Sequence, residues 1–214
     1  MKPYPLFLIG LQNRLCVVIG GGHEAEHKVA GLLEVAAAVT VIAPELTPTL
    51  QQWADDGRFV WLDRKYETGD LKGAFLVIAE RADAERNAAI YEEAETERAL
   101  VTVMDDVAHC NVVAGSVVRQ GPLVISISTS GAAPALAVRL REEFEGRFDP
   151  AYGTFLEWMA ALRPTIAATH PQFGERKRRW YELVDSEVLA LIRHGREAEA
   201  RQLIADVMGI EMRE

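Results

Sequence analysis

The sequence contains few cysteines, no long apolar run and no excess of positive charge. Only two of its 214 residues are cysteines, Cys16 and Cys110, and neither belongs to a C-x-x-C pair. This disfavours a disulfide-rich scaffold or a cysteine-based metal site and favours a reducing compartment. The net charge of −9 disfavours a general nucleic-acid-binding protein, although a local basic patch can still bind an anion.

Apolar segments of the kind used for secretion or membrane insertion are also absent from the sequence. The first ten residues contain only four consecutive apolar residues, at positions 6–9, which is too short for the apolar core of a signal peptide. No other run approaches the roughly 20 apolar residues that span a bilayer. We therefore expect a soluble, cytoplasmic protein in which residues 6–9 form a short strand or an extended arm.

The most informative stretch is a glycine-rich turn between a predicted strand and a predicted helix. Five apolar residues, 15–19, precede three glycines, and a helical pattern of apolar residues follows. Gly20, Gly22 and Ala25 fill the small-residue positions of the G-x-G-x-x-G/A fingerprint, which binds a dinucleotide pyrophosphate at a helix N-terminus. The sequence therefore predicts a dinucleotide site here, with a glycine-rich turn of an unrelated α/β fold as the alternative.

The same residues also satisfy a zinc motif. His23, Glu24 and His27 match H-E-x-x-H, in which two histidines one helical turn apart hold zinc and the glutamate acts as a base. Ala30 stands where the extended form of this motif needs a glycine. A zinc hydrolase with an acid such as Glu45 as third ligand is the alternative interpretation. A helix that begins directly after a phosphate-type glycine turn favours the dinucleotide site instead.

Strand and helix patterns alternate through the first half of the chain. Strands are predicted at residues 15–19, 39–42, 59–62, 74–79 and 100–104, and helices at 24–36, 48–56 and 83–97. The run A-F-L-V-I-A at 74–79 is continuously apolar, as expected of a strand buried on both faces of a parallel sheet. This alternation predicts an α/β fold with a Rossmann-like, doubly wound parallel sheet.

The second half of the chain has a different pattern. Residues 110–119 are apolar without a clear period, 123–127 are a predicted strand, and 134–145 are a predicted helix. From residue 149 onward the apolar spacing is helical, with breaks expected at Pro164, Pro171 and Gly195. We therefore divide the chain into a nucleotide-binding domain (residues 1–112), a connecting segment (113–147) and a small C-terminal helical domain (148–214).

Polar residues fall where a parallel sheet binds its ligands, beyond the carboxyl ends of the strands. Glu45 follows the second strand, near the position where NAD enzymes carry an acid for the ribose hydroxyls. No arginine is present there for a 2′-phosphate, so NAD is favoured over NADP. Asp105 follows the fifth strand and is either a proton-transfer residue or an ordinary strand-end turn residue.

Two groups in the second half suit an anionic ligand. The hydroxyl-rich loop at residues 128–131 carries donors for an anion, but helix capping explains the same residues equally well. The run E-R-K-R-R at residues 175–179 is the densest positive cluster of the sequence. It is either a solvated helix face or, if it faces a cleft, a site of attraction for a polycarboxylate.

Taken together, these stretches resemble the siroheme synthase N-terminal-type family, which comprises precorrin-2 dehydrogenases, some of which are also sirohydrochlorin ferrochelatases. The resemblance covers nearly the whole chain, and the combination of motifs is more specific than any single one. The matching stretches are P-L-F-L at residues 5–8, the glycine triplet with Lys28, V-T-V-I-A-P-E at 39–45, F-L-V-I-A at 75–79, V-M-D-D at 103–106, C-N at 110–111, I-S-T-S-G-A-A-P-A-L-A at 127–137 and G-E-R-K-R-R-W at 174–180.

The resemblance implies NAD-dependent oxidation of precorrin-2 to sirohydrochlorin in siroheme or cobalamin synthesis, with Asp105 as the catalytic base. It also implies a homodimer formed through residues 113–147 and, in bifunctional members, ferrous iron as the substrate of a chelation step. For chelation, the sequence offers His109 and Asp105 as candidates and no dedicated ligand set. The implied NAD-binding residues are Gly20, Gly21, Gly22, His23, Glu24, Pro44 and Glu45. The implied tetrapyrrole-binding residues are Ser128, Thr129, Ser130, Gly131, Arg176 and Arg179.

The sequence departs from the family pattern near the expected cofactor. Glu24 and Glu26 put two extra acids close to the expected pyrophosphate, where electrostatic repulsion would weaken NAD binding. Glu80 and Arg81 replace the usual threonine–aspartate pair after the fourth strand. The methyltransferase domain of some members is not part of this sequence, so we do not expect the chain to make precorrin-2. A non-catalytic NAD- or tetrapyrrole-binding module is the main alternative.

Overall fold

The computed structural model describes residues 3–210, which form two compact units. The first unit ends at Ala114 and the second begins at Gly115. Each has its own hydrophobic core. No helix within residues 3–210 is long and apolar enough to cross a membrane.

The first unit is built on a five-stranded parallel sheet with the strand order β3-β2-β1-β4-β5. Its strands are β1 (Leu15–Ile19), β2 (Ala38–Ile42), β3 (Val60–Leu62), β4 (Leu76–Ala79) and β5 (Leu100–Val103). Its helices are α1 (His23–Glu34), α2 (Pro48–Asp55) and α3 (Ala84–Glu97), and a 3₁₀ turn follows β5 at Val107–His109. The strand order reverses direction between β1 and β4, and it confirms the predicted Rossmann-like sheet.

Successive residues of β1 belong to hydrophobic cores on opposite faces of the sheet. Val18 is in the same cluster as Val29 of α1, whereas Val17 is in the same cluster as Ile90 of α3. All four side chains are buried. Because helices cover both faces, the central strands are apolar at almost every position, which explains the continuous apolar run of β4.

The second unit begins with an antiparallel hairpin and continues as helices. The hairpin consists of β6 (Ser116–Gln120) and β7 (Leu123–Ile127). The helices are α4 (Pro134–Arg147), α5 (Pro150–Thr169), α6 (Phe173–Val184), α7 (Val188–Arg193) and α8 (Glu197–Met208). Phe155, Leu183 and Ile204 belong to one core shared by α5 to α8, so the C-terminal segment is helical as predicted.

Two stretches differ from the secondary structure that the sequence predicts. Residues 6–9 form neither helix nor strand, because no strand pairs with them and Leu6, Phe7 and Ile9 are largely exposed. The sequence predicts a short strand or an extended arm for residues 6–9, and the strand is therefore wrong. Residues 110–119 have no clear apolar period in the sequence. They nevertheless include most of β6, which forms a strand because it pairs with β7.

The expected break at Pro164 is also wrong, since α5 continues through this proline. Proline in a helix interior removes one hydrogen bond, here to the carbonyl of Ala160, and crowds the preceding turn. Both Ala160 and Pro164 are exposed, so water can satisfy that carbonyl. Met159 and Ile166 are buried on either side of the proline and hold the helix in its core.

Candidate functional site

The glycine-rich turn between β1 and α1 is held tightly against the loop that follows β2. The Gly20 amide donates to the carbonyl of Ile42 at 3.0 Å, and the Thr47 amide donates to the carbonyl of Gly21 at 3.0 Å. A Cβ atom on Gly21 would overlap the carbonyl oxygen of Glu45. Gly20 has a φ of +130°, a conformation that favours glycine. The turn therefore requires glycine at both positions.

A cavity of about 440 Å³ opens beside this turn, at the carboxyl ends of β1, β2 and β4. Ligands of doubly wound sheets bind at this edge, where the strand order reverses. Five of the predicted NAD-binding residues line the cavity: Gly20, Gly21, Gly22, Pro44 and Glu45. The other two, His23 and Glu24, do not line it and are exposed on the first turn of α1.

Several polar residues of the cavity lining were not predicted as site residues. Lys65 and Tyr66 come from the segment between β3 and β4, whereas Glu80, Arg81 and Arg86 come from the end of β4 and the start of α3. Glu80 and Arg81 directly follow a predicted buried strand, so their place at the ligand-binding edge could have been anticipated. No sequence pattern marks Lys65 or Tyr66.

The segment that carries Lys65 and Tyr66 is fastened by two polar contacts. The Arg64 guanidinium donates to both carboxylate oxygens of Asp70, at 2.7 and 2.6 Å, and this hydrogen bonding lowers the pKa of Asp70. The Tyr66 hydroxyl donates to Glu93 of α3. Burial, together with this hydrogen bond, raises the pKa of Tyr66, so its hydroxyl stays protonated at the edge of the cavity.

The Glu80 side chain lies directly against the glycine-rich turn. Its Oε1 atom accepts hydrogen bonds from the Gly22 amide at 3.1 Å and the Ala25 amide at 3.2 Å. Gly22 is the N-cap of α1, and the first amides of a helix have no partner within the helix. A carboxylate of the chain itself therefore occupies the place at which such a helix binds phosphate.

The two acids on the first turn of α1 have different surroundings. Glu24 is exposed. Glu26 instead accepts a hydrogen bond from the Thr47 hydroxyl, with 2.7 Å between the oxygens. The same Thr47 hydroxyl accepts from the Leu50 amide at the N-terminus of α2. Glu26 therefore helps to anchor the loop after β2 to α1.

Asp105 follows β5 at the carboxyl edge of the same sheet. It is exposed, and within residues 3–210 its side chain makes no hydrogen bond or ion pair. Its φ of +58° is a left-handed conformation that aspartate and asparagine tolerate better than most residues. The cavity beside the glycine-rich turn does not include Asp105.

The next residue, Asp106, belongs to a hydrogen-bond network under the same turn. Its Oδ2 atom accepts from the Asn87 side-chain amide at 2.7 Å and lies 2.8 Å from Nδ1 of His109. The hydrogen bond from Asn87, followed by that from His109, lowers the pKa of Asp106. This network holds the turn that carries Asp105. Asn87, which is buried in α3, was not anticipated.

In the second unit, the hydroxyl-rich loop before α4 forms side-chain hydrogen bonds to its own backbone. The Ser128 hydroxyl accepts from the Ser130 amide at 3.1 Å, and the Thr129 hydroxyl accepts from the Ala133 amide at 3.3 Å. Ser130 and Gly131 both have positive φ angles. These contacts fold the loop but do not cap α4, whose N-cap Ala133 has no side-chain hydrogen bond. Ser128, Ser130 and Gly131 are exposed and accessible to a ligand.

The guanidinium groups of Arg176 and Arg179 bind main-chain carbonyls at the ends of helices in their own unit. Arg176 donates to the carbonyl of His170, just after α5, at 2.6 Å. Arg179 donates to the carbonyl of Val207 in the last turn of α8 and to the Glu175 carboxylate at 3.3 Å. Unpaired carbonyls at helix C-termini favour such cations. Both arginines thus stabilise the helical unit, and contact with a substrate stays a prediction.

The zinc interpretation needs a third ligand beside the two histidines of α1. The His23 side chain is 87% exposed, and its nearest acid is Glu26 at 3.8 Å. Across residues 3–210, no three His, Cys, Asp or Glu side chains are grouped so that they could hold a metal ion. Within these described residues, the H-E-x-x-H stretch therefore has no third ligand.

The sheet order, the glycine-rich turn and the cavity beside it define a Rossmann-type α/β protein with a cavity where the strand order reverses, the place at which such folds bind ligands. Known families match the chain in sequence order. A family described as putative NAD(P)-binding matches residues 7–116, the central region of sirohaem biosynthesis proteins matches residues 120–147, and the sirohaem synthase dimerisation region matches residues 151–208. The chain belongs to the siroheme synthase N-terminal-type family, as its motifs imply.

Individual relatives agree with this family. Siroheme synthase of Xylella fastidiosa (strain M12) is 38% identical over 202 residues, covering 94% of this chain and 42% of that protein. Siroheme synthase 1 of Serratia proteamaculans (strain 568) is 35% identical over 208 residues, covering 97% and 44%. The chain thus spans less than half the length of these relatives. SirC, a precorrin-2 dehydrogenase of known structure, has the same fold, with a TM-score of 0.77 at 22% identity over 96% of this chain and 98% of that chain.

Proposed function

We propose that this chain oxidises precorrin-2 to sirohydrochlorin with NAD as the hydride acceptor. The observation that carries the proposal is a match to siroheme synthases over 94% and 97% of the chain, which includes the glycine-rich turn and Asp105. A fold shared with a precorrin-2 dehydrogenase supports it. In this reaction one hydride and one proton leave the substrate, so that NADH and a proton are formed with sirohydrochlorin.

The residues at the glycine-rich turn fit a dinucleotide. Gly20 and Gly22 carry no Cβ on the side of the turn where the Glu80 carboxylate lies, and the N-terminus of α1 directs amide groups to the same place, where a phosphate would bind. Glu45 lines the adjacent cavity and is the acid available to ribose hydroxyls, which favours NAD over NADP. The NAD, when bound, takes up the hydride. The residues proposed to hold it are Gly20, Gly21, Gly22, Pro44 and Glu45, with His23 and Glu24 on the first turn of α1.

Asp105 is proposed to accept the proton that the substrate loses. Its carboxylate is exposed and is not engaged with other described side chains, so its oxygens are free to take a proton. The network of Asp106, Asn87 and His109 fixes the turn on which it stands. A general base held in place in this way contributes roughly 10²- to 10⁴-fold to a rate.

The tetrapyrrole substrate carries many carboxylates, and the hydroxyl-rich loop offers donors to them. We assign this contact to Ser128, Thr129, Ser130 and Gly131, with Arg176 and Arg179 as further candidates. Chelation of ferrous iron, as a substrate, is the second activity that the resemblance implies. No cluster of metal-ligating residues among the described residues favours chelation. Chelation is therefore tested only after the oxidation step.

The chain is further proposed to form a homodimer. The match to the sirohaem synthase dimerisation region over residues 151–208 supports this, and it lies downstream of residues 113–147, to which the resemblance assigns dimerisation. Light scattering on the purified chain should give twice the monomer mass, 23.7 kDa per chain. A chain truncated after α4 keeps residues 113–147 and lacks residues 151–208. Its mass in solution would therefore show which of the two regions forms the dimer.

The activity is tested anaerobically with purified protein, precorrin-2 and NAD. We expect the visible spectrum to change to that of sirohydrochlorin while NADH forms in equal amount, and Asp105→Asn to slow both. Ferrous iron added afterwards tests chelation. Absence of conversion, with substrate that a known dehydrogenase does convert, would contradict the proposal and favour a non-catalytic binding module.

A further inference from the structure

The strand register brings the residue after β4 to the glycine-rich turn. β4 pairs in parallel with β1, with Ala79 opposite Ile19, so that Glu80 comes beside Gly20. The Glu80 amide donates to the carbonyl of Ile19 at 2.8 Å, which fixes the backbone. The side chain of Glu80 is therefore directed by the sheet itself toward the N-terminus of α1.

The Glu80 carboxylate takes two of the donors that a phosphate would use. Its Oε1 atom accepts from the amides of Gly22 and Ala25 at 3.1 and 3.2 Å. Both belong to the fingerprint that approaches the pyrophosphate in dinucleotide-binding proteins. A carboxylate is a chemical substitute for phosphate at this place, because both are anions that accept hydrogen bonds from the positive end of a helix.

The carboxylate also fills the space that the glycines leave open. A Cβ atom on Gly20 would overlap Glu80, and one on Gly22 would lie 2.8 Å from its Oε1 atom. The absence of side chains at these positions ordinarily allows the backbone to approach a pyrophosphate closely. Here Glu80 lies in that space, so a pyrophosphate and the carboxylate cannot occupy it together.

We propose that Glu80 is an internal competitor of the dinucleotide: its carboxylate closes the pyrophosphate site of this chain, and NAD binds only when the side chain has moved away. The inference rests on the proposed function in one respect, namely that a dinucleotide binds at this turn. Apparent affinity falls in proportion to the fraction of molecules in the competent conformation. Glu80 therefore sets the affinity of the chain for NAD.

The test compares NAD binding by calorimetry in the wild type and in Glu80→Thr and Glu80→Gln. Threonine is too short to reach both amides, so we expect the dissociation constant to fall about tenfold or more. Glutamine removes the repulsive charge but keeps an acceptor for Gly22 and Ala25, so we expect a smaller gain. Glu85→Gln is the matched control, because Glu85 is an exposed acid on the first turn of α3 that does not line the cavity, so its removal should change the affinity by less than about twofold.

A second readout uses inorganic pyrophosphate, which probes the anion site without the rest of the dinucleotide. In amide-resolved NMR titrations, the Gly22 and Ala25 signals of Glu80→Thr should respond at lower pyrophosphate concentration than those of the wild type. Thermal unfolding and circular dichroism establish that each variant is folded, and Glu80→Gln serves if Glu80→Thr is not.

The outcomes separate this inference from the proposed function. Equal, measurable NAD affinity in the wild type and all Glu80 variants would overturn the inference and leave dinucleotide binding intact. Absence of NAD binding in every folded variant would overturn both. Tighter binding in Glu80→Thr alone or with Glu80→Gln, with Glu85→Gln unchanged, would support the inference even if precorrin-2 were not turned over.

Discussion

The side-chain amide of Asn87 donates to Oδ2 of Asp106 across 2.7 Å. The Asn87 carbonyl oxygen accepts from the Ala82 amide at 3.1 Å, so that one buried side chain links the loop after β4 to the turn after β5. These are the two segments that carry Glu80 and the proposed base Asp105. The positions of both segments therefore depend on Asn87, which does not line the cavity.

Asn87→Ala should destabilise the protein, because it removes both hydrogen bonds of a buried amide. We expect a loss of roughly 1–3 kcal/mol in the free energy of unfolding, measured by urea denaturation. Gln52→Ala is the control, since Gln52 makes a comparable amide–carboxylate contact to Asp56 on an exposed helix face. That change should stay within about 0.5 kcal/mol.

The effect of Asn87→Ala should also depend on pH. The pKa of Asp106 is lowered in the folded state, first by Asn87 and then by His109. Its contribution to stability is therefore present above the ordinary pKa of an aspartate, about 3.9, and is lost as the pH falls through the lowered value. The stability difference between wild type and variant should shrink on acidification. A difference that is the same at pH 7 and pH 3 would show that Asp106 is not involved.

The sequence predicts the elements of the first unit well because they depend on local patterns. The apolar run of β1, the glycines after it and the apolar period of α1 identify a strand, a turn and a helix without reference to the rest of the chain. The parallel order of strands follows from their alternation with helices. The glycine-rich turn, Pro44 and Glu45 accordingly line the cavity at the carboxyl edge of the sheet, and their contact with NAD stays a prediction.

The contacts that modify the site depend on long-range geometry. Glu80 and Gly22 are 58 residues apart, and they meet only because β4 pairs with β1. The sequence marks Glu80 as unusual but cannot tell that its carboxylate reaches the helix N-terminus. The contact of Arg179 with the carbonyl of Val207 in α8 likewise depends on how the helices pack, and no sequence pattern marks it.

Gly21→Ala should weaken both folding and dinucleotide binding. The added Cβ would overlap the carbonyl oxygen of Glu45, a backbone atom that cannot move aside without shifting the loop after β2. We expect a loss of roughly 1–3 kcal/mol in the free energy of unfolding and weaker NAD binding by calorimetry. Gly31→Ala is the matched control: its Cβ would meet nothing within 4 Å, and in the middle of α1 it should stabilise by about 0.5–1 kcal/mol. Equal effects of the two substitutions would contradict the geometry of the turn.

Asp105→Gly should lower the rate of turnover without lowering the free energy of unfolding. Asp105 and Arg98 both have a φ of 58°, where glycine has no steric penalty, so each glycine variant should keep its stability or gain up to about 1 kcal/mol. Only Asp105→Gly should lose turnover, by roughly 10²- to 10⁴-fold, with NAD affinity unchanged. Turnover measured for both variants decides the point, and an active Asp105→Gly variant would rule out Asp105 as the base.

Arg179→Gln should destabilise the second unit, whereas Arg178→Gln should not. The Arg179 side chain, only 23% exposed, pairs with Glu175 and donates to the carbonyl of Val207. The Arg178 side chain is 65% exposed and pairs loosely with Glu182 at 3.4 Å. We expect thermal unfolding to show a loss of about 1–2 kcal/mol for Arg179→Gln and less than about 0.5 kcal/mol for Arg178→Gln.

The same pair tests whether this basic helix also binds the tetrapyrrole. A structural role alone predicts that Arg179→Gln lowers the unfolding temperature but leaves the KM for precorrin-2 unchanged below that temperature. A substrate role predicts a raised KM, because a carboxylate of the tetrapyrrole would lose a charged partner. The guanidinium of Arg179 already donates to Val207 and to Glu175. An unchanged KM in a fully folded Arg179→Gln variant would therefore remove Arg179 from the candidate substrate-binding residues, and a raised KM would support its place among them.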